Sequence, residues 1–180
     1  MDEEEWDWFE EVNDLEPTDP MLSAVLRAVR RAGDTWSSLA IPPEATIARL
    51  NDDRLRVFID VLDKDRDVLA TLRVDVTRNG TSVMAWSDGQ LAEAEDRIED
   101  TDPFDVARYT SPNPEEVASH VVAWLEQQLV RVVVRYEWGA GDDIRATCEM
   151  LQDTGTVLGT SGDKPRGGLE TADRTIRVRP

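Results

Sequence analysis

Residues 54–87, RLRVFIDVLDKDRDVLATLRVDVTRNGTSVMAWS, alternate between apolar and polar side chains along most of their length. A period of two is typical of β-strands, because successive side chains of a strand point to opposite faces of the sheet. The Asn79-Gly80 dipeptide between two of the runs is a strong signal for a tight hairpin turn. The stretch therefore predicts an antiparallel meander of three strands with one buried face, preceded by another short strand at residues 46–50.

Two predicted helices flank this meander in the sequence. Asp19 and Pro20 suit the N-cap and the first position of a helix, and Gly33 predicts its C-terminal end. Asn113 opens a second helix with a wide apolar face. Further runs with a period of two follow the second helix, at residues 130–138, 144–150 and 156–160.

These elements predict an α+β fold, in which an antiparallel sheet of about six or seven strands packs against two main helices. The strands would form a meander and a second hairpin. The predicted organisation is an acidic, aromatic arm at residues 1–19 and a single α+β domain at residues 20–160. Within that domain, residues 88–112 form an acidic insert. A Gly-rich and then basic tail follows at residues 161–180, and it either folds back as an edge strand or stays mobile.

The negative charge is concentrated in two stretches. Residues 1–19 hold ten acidic side chains and no basic one, and residues 88–105 hold eight acidic side chains and Arg97. Together they carry −17 of the formal net charge of −18, so the rest of the chain is nearly neutral. These stretches would repel nucleic acids and anionic lipids. The charge therefore disfavours direct binding to nucleic acid or to a membrane, and it favours a basic protein as partner.

The remaining composition limits the environment and the kinds of site. No apolar run approaches the about 20 residues of a transmembrane helix, and the acidic N-terminus predicts that there is no secretory signal. Cys148 is the only cysteine and His120 the only histidine. The chain therefore has neither an internal disulfide nor a zinc site made of Cys and His. We expect a cytoplasmic protein, and the sequence leaves its oligomeric state open.

A calcium-like motif occurs in the middle of the meander. Asp63, Asp65 and Asp67 alternate like the first ligands of an EF-hand, but Val68 and Val74 stand where that loop needs Gly and Glu. The motif therefore predicts a charged hairpin tip rather than a metal site.

The other chemical motifs also fail, so the sequence predicts no catalytic, cofactor-binding or metal-binding residue. Residues 139–141, Gly-Ala-Gly, lie between two predicted strands and indicate a hairpin turn rather than a phosphate loop. His120 and Ser119 diverge by about 100° around their helix, so they cannot form a base and nucleophile pair. Cys148 falls on the apolar side of a predicted strand. The carboxylates least unsuited to acid–base or metal chemistry are Asp60, Asp142 and Asp143.

The aromatic side chains of the arm have two interpretations. Trp6, Trp8 and Phe9 recur at roughly helical spacing between carboxylates. They either pack on the chain's own domain, because exposed aromatic clusters are costly in water, or dock in a groove of a partner.

The leading hypothesis is a non-catalytic, acidic protein-binding module that captures or neutralises a basic protein, as an inhibitor, an immunity protein or a secretion chaperone would. The predicted order of elements resembles that of the small acidic chaperones of type III secretion, in element order alone. A nucleic-acid mimic and a carboxylate- and metal-dependent hydrolase stay open as alternatives, as does a role of the acidic stretches in solubility alone. The candidate partner-binding residues are Glu3, Glu4, Glu5, Trp6, Trp8, Phe9, Glu10, Glu93, Glu95, Asp96, Glu99, Asp100 and Asp102.

Overall fold

The computed structural model of the chain describes residues 8–9, 17–39, 41–51, 53–87, 104–140, 143–163 and 168–179. The helices are α1, Pro20–Trp36, and α2, Pro114–Leu129. The strands are β1 Thr46–Asn51, β2 Arg54–Leu62, β3 Val68–Thr77, β4 Thr81–Ser87, β5 Phe104–Thr110, β6 Val133–Ala140, β7 Asp143–Leu151, β8 Val157–Gly162 and β9 Arg174–Arg179. Short 3-10 turns occur at Ser37–Leu39, Pro43–Ala45 and Leu169–Thr171.

The strands form two antiparallel sheets, which confirms the predicted α+β class with its meander and second hairpin. The first sheet has the order β1-β2-β3-β4-β5 and the second the order β8-β7-β6-β9. β5 lies in the acidic insert, where the sequence predicted no strand, whereas β9 is the edge strand that was one of the two alternatives for the basic tail. Both are short edge strands of seven and six residues. Their partners, β4 and β6, are distant in the sequence, so a local pattern does not reveal the pairing.

Both helices begin where the sequence predicts. Asp19 Oδ1 accepts a hydrogen bond from the backbone N–H of Met21 at 2.9 Å. The Asn113 side chain likewise accepts from the backbone N–H of Glu115 at 3.1 Å. Each cap satisfies a donor that the first helical turn leaves without an intrahelical partner. Neither of these helices, the two within the described residues, is long and apolar enough to cross a membrane.

The predicted C-terminal end of α1 at Gly33 is wrong. The helix continues to Trp36, and Gly33 lies buried within its last turns. Because residue 33 has no side chain, the Trp8 ring packs directly against the backbone of the helix at this position.

The helices cover one face of the five-stranded sheet, but the opposite face of β2 and β3 is buried as well. On that opposite face Phe58 is fully buried, and the guanidinium carbons of Arg49 and Arg73 lie 5.7 and 5.6 Å from its ring centroid. Arg73 also donates two hydrogen bonds of 3.1 Å to Asp75. The prediction of one buried face is therefore wrong for these strands, because arginine stems and an aromatic ring shield each other from water. The main core includes Leu22, Val25, Val57, Ile59, Leu72, Val74, Val121 and Leu125.

A chain of hydrogen bonds through α2 joins the two sheets. Trp86 in β4 donates its Nε1–H to Gln128 Oε1 at 2.9 Å, and Arg131 donates to the same oxygen at 2.8 Å. Arg131 also donates two hydrogen bonds, of 3.0 and 2.9 Å, to Asp153 in the turn between β7 and β8. The hydrogen bonds from Arg131 hold the pKa of the Asp153 carboxyl below its ordinary value of 3.8.

We expect Asp153→Asn to lower the free energy of unfolding at neutral pH by at most about 1 kcal/mol, because the Asp153 side chain is largely exposed and its ion pair is screened. The folded-state pKa is depressed, so this contribution is present above pH 3.8 and is lost as the pH falls through the folded value. Urea unfolding of the wild type and the variant, at neutral pH and at about pH 2.5, measures the difference. A difference that stays constant across this range would contradict the expectation.

Candidate functional site at one end of the five-stranded sheet

Trp8 and Phe9 are the two candidate partner-binding residues that the structure describes. The structure also describes the residues at which the insert leaves and re-enters the sheet, and these residues, with Trp8 and Phe9, define the candidate site. The other candidates lie outside the described residues: Glu3, Glu4, Glu5, Trp6, Glu10, Glu93, Glu95, Asp96, Glu99, Asp100 and Asp102.

The acidic insert joins the sheet at the end where β1, β3 and β5 begin and where β2 and β4 finish, which we call the anchor end. The chain leaves β4 after Ser87 and enters β5 at Phe104. Ser87 is the register partner of Thr71, and Thr71 is the partner of Asp60 in β2. Ile59, which precedes Asp60, pairs with Thr46, the first residue of β1. One row of residues across the sheet therefore connects the insert with the start of β1.

The acidic arm is held at the same end. The backbone N–H of Phe9 donates a hydrogen bond of 3.1 Å to Oγ1 of Thr46. Neighbouring strands lie about 4.8 Å apart, so about 14 Å separate β1 from β4 and about 19 Å separate β1 from β5. Phe9 of the arm and the two ends of the insert thus lie within about 20 Å of each other, although they are far apart in the sequence.

The folded body itself carries little net charge. The described residues hold 20 acidic and 17 basic side chains, whereas the whole chain has a formal net charge of −18. The excess negative charge therefore belongs to residues of the arm and the insert. The insert is attached at the anchor end and Phe9 of the arm is held there, but the arm continues into α1, whose Met21 lies beside Gly80 at the opposite end of the sheet.

Trp8 and Phe9 pack on the chain's own domain. Phe9 is fully buried, and its ring meets the Trp36 ring edge-on with centroids 5.9 Å apart. Trp8 is half-buried and meets the same ring edge-on at 6.1 Å. Of the two interpretations of the arm, packing on its own domain describes these two residues. The Phe9 ring is consequently not presented to a partner in this arrangement.

The turn between β2 and β3 also lies at the anchor end, and it is built around a buried carboxylate. Asp63 Oδ1 accepts from the backbone N–H groups of Asp65 and Asp67 at 2.8 and 2.9 Å. Its Oδ2 accepts from Arg135 of β6 at 3.2 Å, and Arg135 also donates to Glu149 at 2.7 Å. Burial opposes the charge on Arg135, but its hydrogen bond to Glu149 and its two carboxylate neighbours raise its pKa. The calcium-like motif is thus a hairpin turn that links the two sheets.

Two open cavities flank this turn. The first has a volume of about 440 Å³ and is lined by Ile41, Pro42, Pro43, Leu62, Asp63, Lys64 and Arg66. The second has a volume of about 520 Å³ and lies between the start of β3 and the second sheet, with both Arg135 and Glu149 in its lining.

The carboxylates considered for acid–base or metal chemistry do not converge in the part of the chain that the structure describes. Asp60 accepts a hydrogen bond from the Thr71 hydroxyl at 2.5 Å, whereas Asp143 is exposed at the start of β7. Asp142 lies outside the described residues. Across the described ranges, no group of three or more His, Cys, Asp or Glu side chains is arranged to hold a metal ion.

The single histidine and the single cysteine have structural surroundings. The His120 ring stacks on Tyr109 of β5 with centroids 4.0 Å apart and planes 13° apart. Cys148 is fully buried in a small cluster with Trp138 and Ala146. The contact between His120 and Tyr109 joins α2 to β5. The cluster around Cys148 packs side chains of β6 and β7 against one another.

The sequence analysis missed Gly33 and Arg135. A glycine inside an apolar helical stripe was the available signal for Gly33, because such a residue usually serves close packing. Arg135 carried no local signal, since its two carboxylate partners come from other strands.

Comparison with known proteins gave no match: no protein-family model, no curated protein and no solved structure is significantly similar to this chain. The geometry and the charge of the chain itself are therefore the basis for the function proposed below.

Proposed function

We propose that this protein is a non-catalytic binding module that captures a basic protein through its acidic arm and acidic insert acting together. The observation that supports the proposal is that Phe9 of the arm is held at the end of the five-stranded sheet where the insert leaves β4 and enters β5. A joint contact zone requires both stretches to reach one partner. Attachment points within about 20 Å of each other allow this, since a standard interface covers about 800 Å² on each partner.

The distribution of charge supports the same conclusion. A nearly neutral body whose negative charge is concentrated in two stretches produces an uneven field, which steers a cationic partner towards those stretches. An inhibitor that covers the cationic site of an enzyme would use such a field. A chaperone that holds a basic protein before its secretion would use it in the same way. The two activities differ in the partner, not in the physics of capture.

The proposal predicts strongly salt-dependent binding. The basic protein retained by the immobilised wild type at low salt would be isolated, and its association and dissociation rates measured up to about 0.5 M salt, where screening acts over about 4 Å. We expect the association rate to fall by about tenfold or more, with a smaller change in the dissociation rate. Retention of no basic protein, or an affinity unchanged by salt, would count against capture by charge.

A nucleic-acid mimic is the second candidate, because it too needs its carboxylates to lie side by side. Competition with duplex DNA tests the mimic. A mimic occupies the DNA-binding cleft of its partner, so the DNA and this protein would exclude each other. A partner that binds both at once would indicate an ordinary basic surface.

The third candidate function is a metal-dependent hydrolase. Titration with Mg²⁺, Mn²⁺ and Ca²⁺, followed by thermal unfolding, is the check, because a bound ion stabilises the folded state by mass action.

A further inference from the structure

A groove between α1 and the start of β1 receives Trp8 and Phe9. We call this the aromatic groove and define it by Arg30, Gly33 and Trp36 of α1 together with Thr46 of β1. We propose that the aromatic groove is a receptor for the chain's own Trp8–Phe9 pair, and that the pair is a releasable latch that holds the acidic arm at the anchor end. The value of this latch for partner capture rests on the proposed function, whereas the latch itself can be tested without a partner.

The groove is shaped for this pair. A Cβ atom at Gly33 would lie 2.6 Å from Cδ2 and 2.8 Å from Cε3 of Trp8, so the ring fits because residue 33 has no side chain. The edge-on contacts of both rings with Trp36 bury apolar surface from the arm against α1. The hydrogen bond from Phe9 to Thr46 fixes the backbone between the helix and the sheet.

Local costs oppose this docking. Phe9 has φ of 55°, in the left-handed region that is sterically unfavourable for a residue with a bulky side chain. The buried Nε1–H of Trp36 has no hydrogen-bond partner among the described residues, and a buried donor without a partner is destabilising. The bond from Arg30 to the Phe9 carbonyl is long, at 3.5 Å. The pair is therefore held by packing against these costs, which favours local release without unfolding of the sheet.

Gly33→Ala tests the latch, because its two effects have opposite signs. Alanine is the better helix former, so the substitution favours α1 itself. Its methyl group simultaneously displaces the Trp8 ring, which is half-buried and free to move outwards. Hydrogen exchange of the Phe9 amide reports release directly, since that amide donates to Thr46. We expect this amide to exchange about tenfold faster or more in the variant, with the β3 amides unchanged or slower.

Two further variants keep the test decisive. Gly159→Ala is the matched control, because its methyl group would meet no atom closer than Oε2 of Glu149 at 3.5 Å, an ordinary contact. Thr46→Val removes the acceptor of the Phe9 amide at nearly constant shape, and it replaces Gly33→Ala if that variant does not fold. The latch is overturned if the Phe9 amide of the wild type exchanges only together with the β3 amides. Equal acceleration of all amides in Gly33→Ala would also overturn it, because the pair would then be a permanent part of the core.

The same variants separate the latch from the function. If the held arm serves capture, Gly33→Ala binds the basic protein about tenfold more weakly, because the arm must then be ordered on binding. Release seen by exchange together with unchanged binding overturns the role of the latch in capture. A chain without its acidic charges that still binds normally overturns the proposed function instead.

Discussion

Replacing the carboxylates of residues 2–16 and 93–102 by amides is expected to slow association with the basic partner by about 100-fold or more. Steered complexes associate at about 10⁸–10⁹ M⁻¹s⁻¹ at low salt, against about 10⁵–10⁶ without steering, and the two stretches supply nearly all the net charge that steers. Stopped-flow or surface-binding kinetics at low salt measure the rate. The dissociation rate should change less, since charges at the rim of an interface mainly affect the association rate.

A matched pair of variants shows whether the position of the charge matters. The first replaces six carboxylates of the insert, and the control replaces six exposed carboxylates of the body, so both change the net charge equally. We expect the insert variant to associate at least about tenfold more slowly than the control, because a field weakens beyond about one Debye length. Equal slowing in both would contradict a localised contact zone. The insert positions are Glu93, Glu95, Asp96, Glu99, Asp100 and Asp102, and the control positions are Asp53, Glu115, Glu116, Asp143, Asp163 and Glu170.

Asp63→Ala is expected to lower the free energy of unfolding by about 3–5 kcal/mol, the usual cost of removing one partner from a buried ion pair. The Asp63 side chain is 1 % exposed, and it accepts two backbone hydrogen bonds as well as the bond from Arg135. Its loss leaves these donors without an acceptor and weakens the link between the sheets. Urea unfolding followed by circular dichroism measures the change.

Asp65→Ala is the control for this prediction. Asp65 occupies the same turn, but its side chain is 61 % exposed and pairs with Lys64 at 3.3 Å, so a change within about 0.5 kcal/mol is expected. Asp63→Ala combined with Arg135→Met should cost less than the sum of the single changes, because both single changes remove the same ion pair. Comparable losses for Asp63→Ala and Asp65→Ala would contradict the structural role of the buried carboxylate.

The parts of the fold that depend on neighbouring residues could be predicted from the sequence. The Asn79-Gly80 turn is one example, because its glycine adopts φ of 79° and the two flanking strands pair directly. The caps at Asp19 and Asn113 are local in the same way. β5 was not predicted, and for β9 the sequence left an edge strand and a mobile tail open, because both strands gain stability by pairing at sheet edges rather than from their own pattern.

The candidate site was predictable only in its charge. The sequence identifies which stretches are acidic, but their common attachment point depends on the strand register that aligns Ser87, Thr71 and Asp60. The fit of Trp8 against Gly33 depends on a tertiary contact, and the sequence pattern instead predicted a helix end at that glycine. Register and packing are properties of the assembled fold, which explains why composition alone could not supply them.

Hydrogen exchange of the complex with the captured basic protein distinguishes one contact zone from two independent acidic tails. If the arm and the insert bind together, exchange slows in residues 1–16, in residues 88–103 and at the starts of β1 and β5. The Asn79-Gly80 turn, at the opposite end of the sheet, should exchange as in the free protein. Slowed exchange confined to that opposite end, or absent from either acidic stretch, would contradict a joint contact zone at the anchor end.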